Sequence, residues 1–187
     1  MSPRLRLTLL LSLPLLGFLV LLGFLFRGLG NDPTLLPSVL IDRPLPPFRA
    51  VTLADPQRIV TPADLQGAIA LLNVWATWCP SCQAEHEMLR ALAEQGVVIY
   101  GLNYKDRRDL ALQWLARLGD PYRFNINDER GQLGIDLGVY GAPETYLLDT
   151  RGVIRHRHVG VLDERVWQED FVPRIRMLEQ EKTVISG

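Results

Sequence analysis

The hydrophobic pattern divides the chain into two unlike parts. From Leu7 to Phe26 twenty residues (LTLLLSLPLLGFLVLLGFLF) carry no charge. A helix of that length rises about 30 Å, the thickness of a bilayer's hydrocarbon core. Arg4, Arg6 and the amino terminus precede the run and Arg27 alone follows it. The positive-inside tendency then puts the N-terminus in the cytoplasm and the rest of the chain outside. Pro14 is tolerated in such a span when a local kink or neighbouring groups satisfy the freed carbonyl. A cleaved signal peptide has a shorter apolar region, roughly 7–15 residues, ending in a small-residue site. The stretch Arg27–Asp32 offers no such site. Residues 1–27 are therefore expected to be an uncleaved transmembrane anchor.

The pattern then breaks. Pro33, Pro37, Pro44, Pro46, Pro47 and Pro56 crowd the stretch from Asp32 to Thr61. Proline at that density forbids a regular helix and suits an extended tether. Residues 28–47 are expected to be this linker, and residues 48–187 the folded domain. Within it Phe48, Val51 and Leu53 suggest a first strand paired with Arg58–Val60. Thr61-Pro62 reads as an N-cap and first helical residue of a short helix ending at Leu65.

Beyond Leu65 strands and helices alternate. Ala68–Trp75 is a continuous apolar run of strand length, as a buried central strand would be. Cys82–Gln95 reads as a helix with Met88, Leu89 and Leu92 on one side and Gly96 past its end. Val97–Leu102 is a second buried strand. Arg108–Leu118 places Leu110, Trp114, Leu115 and Leu118 at helical spacing, and Gly119-Asp120-Pro121 stops it. Phe124–Ile126 suggests a short strand and Leu133–Leu137 a short helix. Thr145–Leu148 and Val153–Val159 flank Asp149-Thr150-Arg151-Gly152, a hairpin signal. Asp163 caps a last helix to Glu179, in which Pro173 can place a kink. The order implies an α/β layer structure, parallel first and antiparallel last.

Composition narrows the function classes. With 48% hydrophobic and 22% charged residues the chain is globular, and 15 Gly and 13 Pro without a period exclude collagen-like and low-complexity forms. The net charge of −1, from 20 basic and 21 acidic residues, argues against nucleic-acid binding through bulk positive charge. Removing residues 1–27 removes three arginines and no acid, which leaves the exported part at −4. Two cysteines are too few to staple a scaffold, so an apolar core must hold the fold.

Both cysteines fall in Trp78-Cys79-Pro80-Ser81-Cys82, after a buried strand and at the start of a helix. A helix N-terminus offers unpaired N–H groups and partial positive charge, which favour thiolate over thiol. Cys79, first and expected to be exposed, should therefore ionise below the free value of about 8.5. Cys82, one turn on, can attack a mixed disulfide at Cys79 and release the partner. Pro80 occupies the first turn, where its missing N–H costs nothing. Zinc needs four ligands and one CxxC supplies two, while His86, His156 and His158 are poorly placed to complete a set. No metal site is expected, and His156 and His158 read as surface residues. A structural disulfide closing so short a loop would constrain little chain. A redox dithiol is the simplest reading.

The stretch Val74–Cys82 (VWATWCPSC) resembles the active-site signature of the thioredoxin superfamily. Gly101–Asp106 (GLNYKD) and Gly138–Asp149 (GVYGAPETYLLD) narrow the resemblance to the membrane-anchored thioredoxin-like proteins of bacterial cytochrome c maturation. It covers residues 40–180 and the anchor. It implies a thioredoxin-like α/β fold, a central mixed sheet flanked by helices, behind an N-terminal transmembrane helix. It also implies that Pro143 is cis and faces the cysteines, so that the backbone of Ala142 can pair with an extended substrate segment. Trp78 and Pro80 would border the docking surface; Trp75 reads as core. Glu144, next to that proline, would disfavour a nearby thiolate and could handle protons, and Glu85 stands three residues beyond Cys82. Where many thioredoxins carry a buried aspartate this chain has Asn73, which cannot take a proton, so weight falls on Glu85 and Glu144. Tyr104, Lys105 and Asp106 read equally as partner groove or solvated loop.

The resemblance implies a periplasmic dithiol reductant on the inner membrane. Its partner would be apocytochrome c or a dithiol assembly factor serving haem ligation, and its electrons would come from a membrane thiol reductase. No cofactor is expected, since haem would be attached to the partner. Two alternatives remain open: a broad thiol oxidase or disulfide isomerase using the same site, and a metal chaperone holding Cu(I) on two thiolates.

Overall fold

The computed structural model describes residues 3–28 and 40–185, with side chains for 13–27 and 40–181. They form two compact units. The first is helix α1, Pro3–Gly28, whose described side chains are all exposed. Among the described residues no helix is long and apolar enough to cross a membrane. Residues 29–39 of the expected linker, and the side chains of Arg4 and Arg6, lie outside the described residues.

The second unit is an α/β domain. A six-stranded mixed sheet has the order β1-β8-β7-β4-β5-β6. Its strands are β1 (Arg43–Pro44), β4 (Ala70–Trp75), β5 (Val98–Tyr104), β6 (Asn125–Asp128), β7 (Glu144–Leu148) and β8 (Val153–Val159). Strands β4, β5 and β6 run parallel, and β7, β8 and β1 antiparallel to their neighbours. A small hairpin joins β2 (Ala50–Val51) to β3 (Ile59–Val60). The helices are α2 (Pro80–Glu94), α3 (Arg108–Leu118), α4 (Gln132–Leu137), α5 (Glu164–Val166) and α6 (Val172–Ile185), with a 3-10 turn at Pro62–Leu65.

Strand β4 explains the two-sided core. Alternate side chains point to opposite faces. Leu71 and Trp75 enter a cluster with Leu89 and Leu92 of α2, Ala111, Trp114 and Leu115 of α3, and Phe171. Leu72 and Val74 enter a second cluster with Tyr100, Leu102, Ile126 and Tyr146. A strand buried on both faces has no polar alternation to show, which is why its sequence is apolar except at Asn73.

Several expectations shift. The folded unit begins before Phe48: Arg43 and Pro44 pair with Ile154 and Val153, and Leu45 is buried. Pro44 fits because β1 is an edge strand, where a missing N–H is harmless. On α3 the buried stripe is Ala111, Trp114 and Leu115, while Leu110 is 41% exposed. Both stripes share the helical spacing, and the small alanine is the one the sheet admits. The last helix is interrupted by a π-helical turn, Trp167–Phe171, just ahead of Pro173. Widening the turn relieves the clash of the proline ring with the preceding carbonyls.

Candidate functional site

Helix α2 starts where β4 ends. Cys79 is its N-cap in extended backbone, Pro80 its first residue, and Cys79 Sγ accepts a hydrogen bond from the Cys82 amide at 3.0 Å. The sulfur thus takes the place usually filled by a capping oxygen. Cys79 and Cys82 form a disulfide with Cα atoms 5.3 Å apart. Cys79 is only 4% exposed, which corrects the expectation of an open thiol. Both cysteines belong to the core cluster on the α2 face, and Ala142 packs against that cluster. The Ala142–Pro143 peptide is cis. The Pro143 carbonyl accepts from Gly160 N, whereas the backbone N–H and C=O of Ala142 have no partner among the described residues.

A buried polar chain links α2 to the central strand. Glu85, one turn beyond Cys82, accepts from Asn73 Nδ2 through Oε1 (2.8 Å) and from the Leu162 amide through Oε2 (2.8 Å). Asn73 also donates to Thr145 Oγ1 (3.1 Å) and accepts from Tyr122 Oη (2.9 Å). Burial pushes the Glu85 carboxyl up to about 7, against two hydrogen bonds that favour its charge. Asn73, which cannot itself hold the proton, connects the group that can.

Glu144 sits on the other face of the sheet. It pairs with Val74 and shares a face with Tyr146, away from Glu85 and Asn73. Its Oε1 accepts from Tyr140 N (2.8 Å), and its Oε2 from Tyr146 Oη (3.0 Å) and from Arg157 Nε and Nη2 (3.0 and 2.8 Å). Arg157 also donates to the Gly138 carbonyl and lies over the Tyr140 ring, 4.7 Å from its centroid. The carboxylate is therefore matched by a cation and holds the loop that leads to Ala142. The sequence reading had no sign of this partner, thirteen residues away on the next strand.

Trp78 is 52% exposed, with its indole N–H on the Lys105 carbonyl (3.0 Å), while Trp75 is core, donating to Asn125 Oδ1 (2.8 Å). In the Tyr104–Asp106 stretch Lys105 alone is exposed: Tyr104 ends β5 buried, and Asp106 is buried and bound to Thr77. His86 is buried edge-on to Trp114, with a ring nitrogen 3.0 Å from the Gly119 carbonyl. His156 and His158 are half-buried rather than surface, edge-on to Phe171. A bulge explains the placement, because Leu147 pairs with His156 but Leu148 with Ile154, leaving Arg155 as the extra residue. No group of three or more metal-binding side chains occurs among the described residues.

A protein-family model described as Redoxin matches residues 41–171. The chain belongs to the Redoxin family. It is 56% identical over 171 residues to the thiol:disulfide interchange protein DsbE of Pseudomonas aeruginosa, covering 91% of this chain and 95% of that one. The DsbE of Escherichia coli is 49% identical over 170 residues, with coverage of 87% and 91%. Among solved structures, a secreted thiol-disulfide isomerase from Corynebacterium glutamicum has a TM-score of 0.61 at 22% identity, over 71% of this chain and 85% of that one. A thio-disulfide isomerase from Thermus thermophilus has a TM-score of 0.60 at 24% identity, over 75% and 97%. Those two likenesses show the thioredoxin-like fold. With the paired cysteines and its DsbE relatives, this Redoxin-family chain is a thiol:disulfide oxidoreductase.

Proposed function

We propose that the protein is a dithiol reductant held on the periplasmic face of the inner membrane, acting on apocytochrome c or on a dithiol assembly factor before haem attachment. The observation that carries the reading is the Cys79–Cys82 pair at the start of α2 beside a backbone, at Ala142, left free to pair with an extended segment. Location rests on the uncharged run Leu7–Phe26 and the arginines before it.

In the forward direction Cys79 thiolate attacks one sulfur of the partner's disulfide. A Cys79–partner bond forms, the partner's S–S bond breaks, and its leaving thiolate takes a proton. Cys82, losing its proton, attacks Cys79 Sγ, closes the Cys79–Cys82 disulfide and expels the second partner thiolate. Glu85, one turn from Cys82 and able to hold a proton near neutrality, is the group assigned to that proton. Two electrons from a membrane thiol reductase reopen the disulfide. Trp78 and Pro80 border the approach, and Pro143 completes the wall facing the cysteines. Glu144 acts indirectly, by shaping the loop before Ala142.

Changing Cys82 to Ser should trap a covalent mixed disulfide at Cys79 in cells, identifiable by mass spectrometry. Recovery of no trapped protein with a CxxC pair would overturn the partner assignment. Equilibration with glutathione separates a reductant from an oxidase. A reductant's potential lies nearer the thioredoxin value of about −270 mV than the DsbA value of about −120 mV.

A further inference from the structure

Asp106 does not touch the disulfide, and the exchange steps above give it no task. Asp106 is nonetheless only 6% exposed, and its carboxylate is fully engaged. Oδ2 accepts from the Thr77 amide (2.6 Å) and Asn103 Nδ2 (3.0 Å), and Oδ1 from Thr77 Oγ1 (2.7 Å) and the Arg107 amide (2.8 Å). All four donors are neutral. Two of them belong to one residue, Thr77, two positions before the nucleophile.

Two costs surround this carboxylate. Lys105 has φ +46, a left-handed conformation unfavourable for a residue with a Cβ. Asn103 Oδ1 is buried without a partner among the described residues, so its amide serves only as a donor to Asp106. The turn is held from behind by the Lys105 amide on the Asp128 carbonyl (3.0 Å). Gly131 leaves the room, since a Cβ there would strike the Lys105 side chain. The strained turn aims one carboxylate at Thr77 and one carbonyl, that of Lys105, at the Trp78 indole.

We propose that Asp106 is a positioning residue for the exchange reaction: the Tyr104–Asp106 turn latches Thr77 and Trp78, and so holds Cys79 at the N-cap of α2 when the disulfide is open. In the oxidised protein the covalent bond to Cys82 already restrains Cys79. Reduction removes that restraint just when the sulfur must line up with a partner's disulfide. Displacement of a reacting atom by about 1 Å can cost about a hundredfold in rate. The latch remains in both redox forms because none of its bonds involves sulfur.

The inference rests on exchange at Cys79, not on the identity of the partner. The test compares Asp106→Ala, Thr77→Val and Thr77→Ser in the reduced full-length chain. Four quantities are read: kcat and KM for reducing a disulfide-bonded CxxCH peptide, the pH profile of Cys79 alkylation, and the NMR resonance of the Trp78 indole N–H. Asp106→Ala should lower kcat at least tenfold with less change in KM, displace the alkylation profile, and move the indole resonance toward free exchange with water. Thr77→Val should go the same way to a smaller extent, and Thr77→Ser, which keeps both bonds, should match the parent. A lower melting temperature with the alkylation profile and indole resonance unmoved would overturn the proposal. So would a Thr77→Ser protein as impaired as Thr77→Val, and this pair decides the matter if Asp106→Ala does not fold. A parent chain that fails to reduce the peptide counts against the functional reading, while the indole resonance and alkylation profile still decide the latch.

Discussion

Asn73 Nδ2 donates to Glu85 Oε1 over 2.8 Å, tying the central strand to the carboxylate one turn beyond Cys82. Burial dominates at Glu85 and raises it from 4.5 to about 7. Between those values the folded chain binds more protons than the unfolded chain, so stability falls as pH rises through the window. Above it the full penalty, about 3 kcal/mol, is present. Glu85→Gln removes the charge but leaves one buried N–H without its acceptor, a cost of about 1–3 kcal/mol. The variant should therefore be at least as stable as the parent at pH 8, by up to about 2 kcal/mol. At pH 5 that order should vanish or reverse. Denaturant unfolding at the two pH values checks this, and the exchange rate should lose its inflection near pH 7.

His156 bends the same profile the other way. Burial, aided by the Arg174 cation, lowers it from 6.5 to about 4. Between those values the unfolded chain binds more protons, so stability rises with pH and is lost toward acid. Over the shared range, about pH 4.5–6.5, His156 and Glu85 oppose each other and flatten the parent's profile. Its Nε2 has no partner among the described residues, so His156→Phe leaves no bond unmade. The variant should gain stability near pH 4.5 and expose the falling limb due to Glu85. A melting-temperature series from pH 4 to 8 on both single variants and the double variant separates the two slopes.

These two groups show where sequence reading ends. The fold was legible because each buried strand and each amphipathic helix carries its own local period, and the cysteines, Glu85 and Asn73 fall within fifteen residues of one another. Asp106–Thr77 and Glu144–Arg157 were not legible. Each pair joins residues of separate elements, and an acid after a strand looks the same whether solvated or buried. The half-burial of His156 depends on a bulge at Arg155, which no periodicity marks.

Arg157 and Glu144 illustrate the consequence. A free carboxylate beside the thiols would shift their ionisation, so Glu144→Gln would move the alkylation profile of Cys79. In the structure the guanidinium matches that charge, with both side chains buried. Removing one member of a buried pair typically costs about 3–5 kcal/mol, because the other is left uncompensated. Glu144→Gln should therefore destabilise the fold by an amount in that range and leave the alkylation profile near the parent's. The Tyr140–Ala142 loop, which loses its anchor on the Tyr140 amide, should exchange its backbone amides faster. Hydrogen exchange on the variant checks the loop, and iodoacetamide titration checks the thiol.

The last expectation separates chemistry from location. Every group assigned to exchange lies between Asn73 and Leu162, on β4, α2, the turn after β5 and the loops around β7 and β8. Helix α1 contributes none of them and forms a compact unit of its own. A chain without residues 1–27 keeps β1 and every paired strand of the sheet. It should reduce a peptide disulfide in vitro within about twofold of the full-length rate. Exported as a free domain, it should serve its partner poorly at low expression, because confinement at a membrane raises the effective concentration of a co-anchored donor or substrate. Raising expression should restore function in proportion to concentration. A truncated chain inactive in vitro would instead place part of the catalytic geometry in the N-terminal helix.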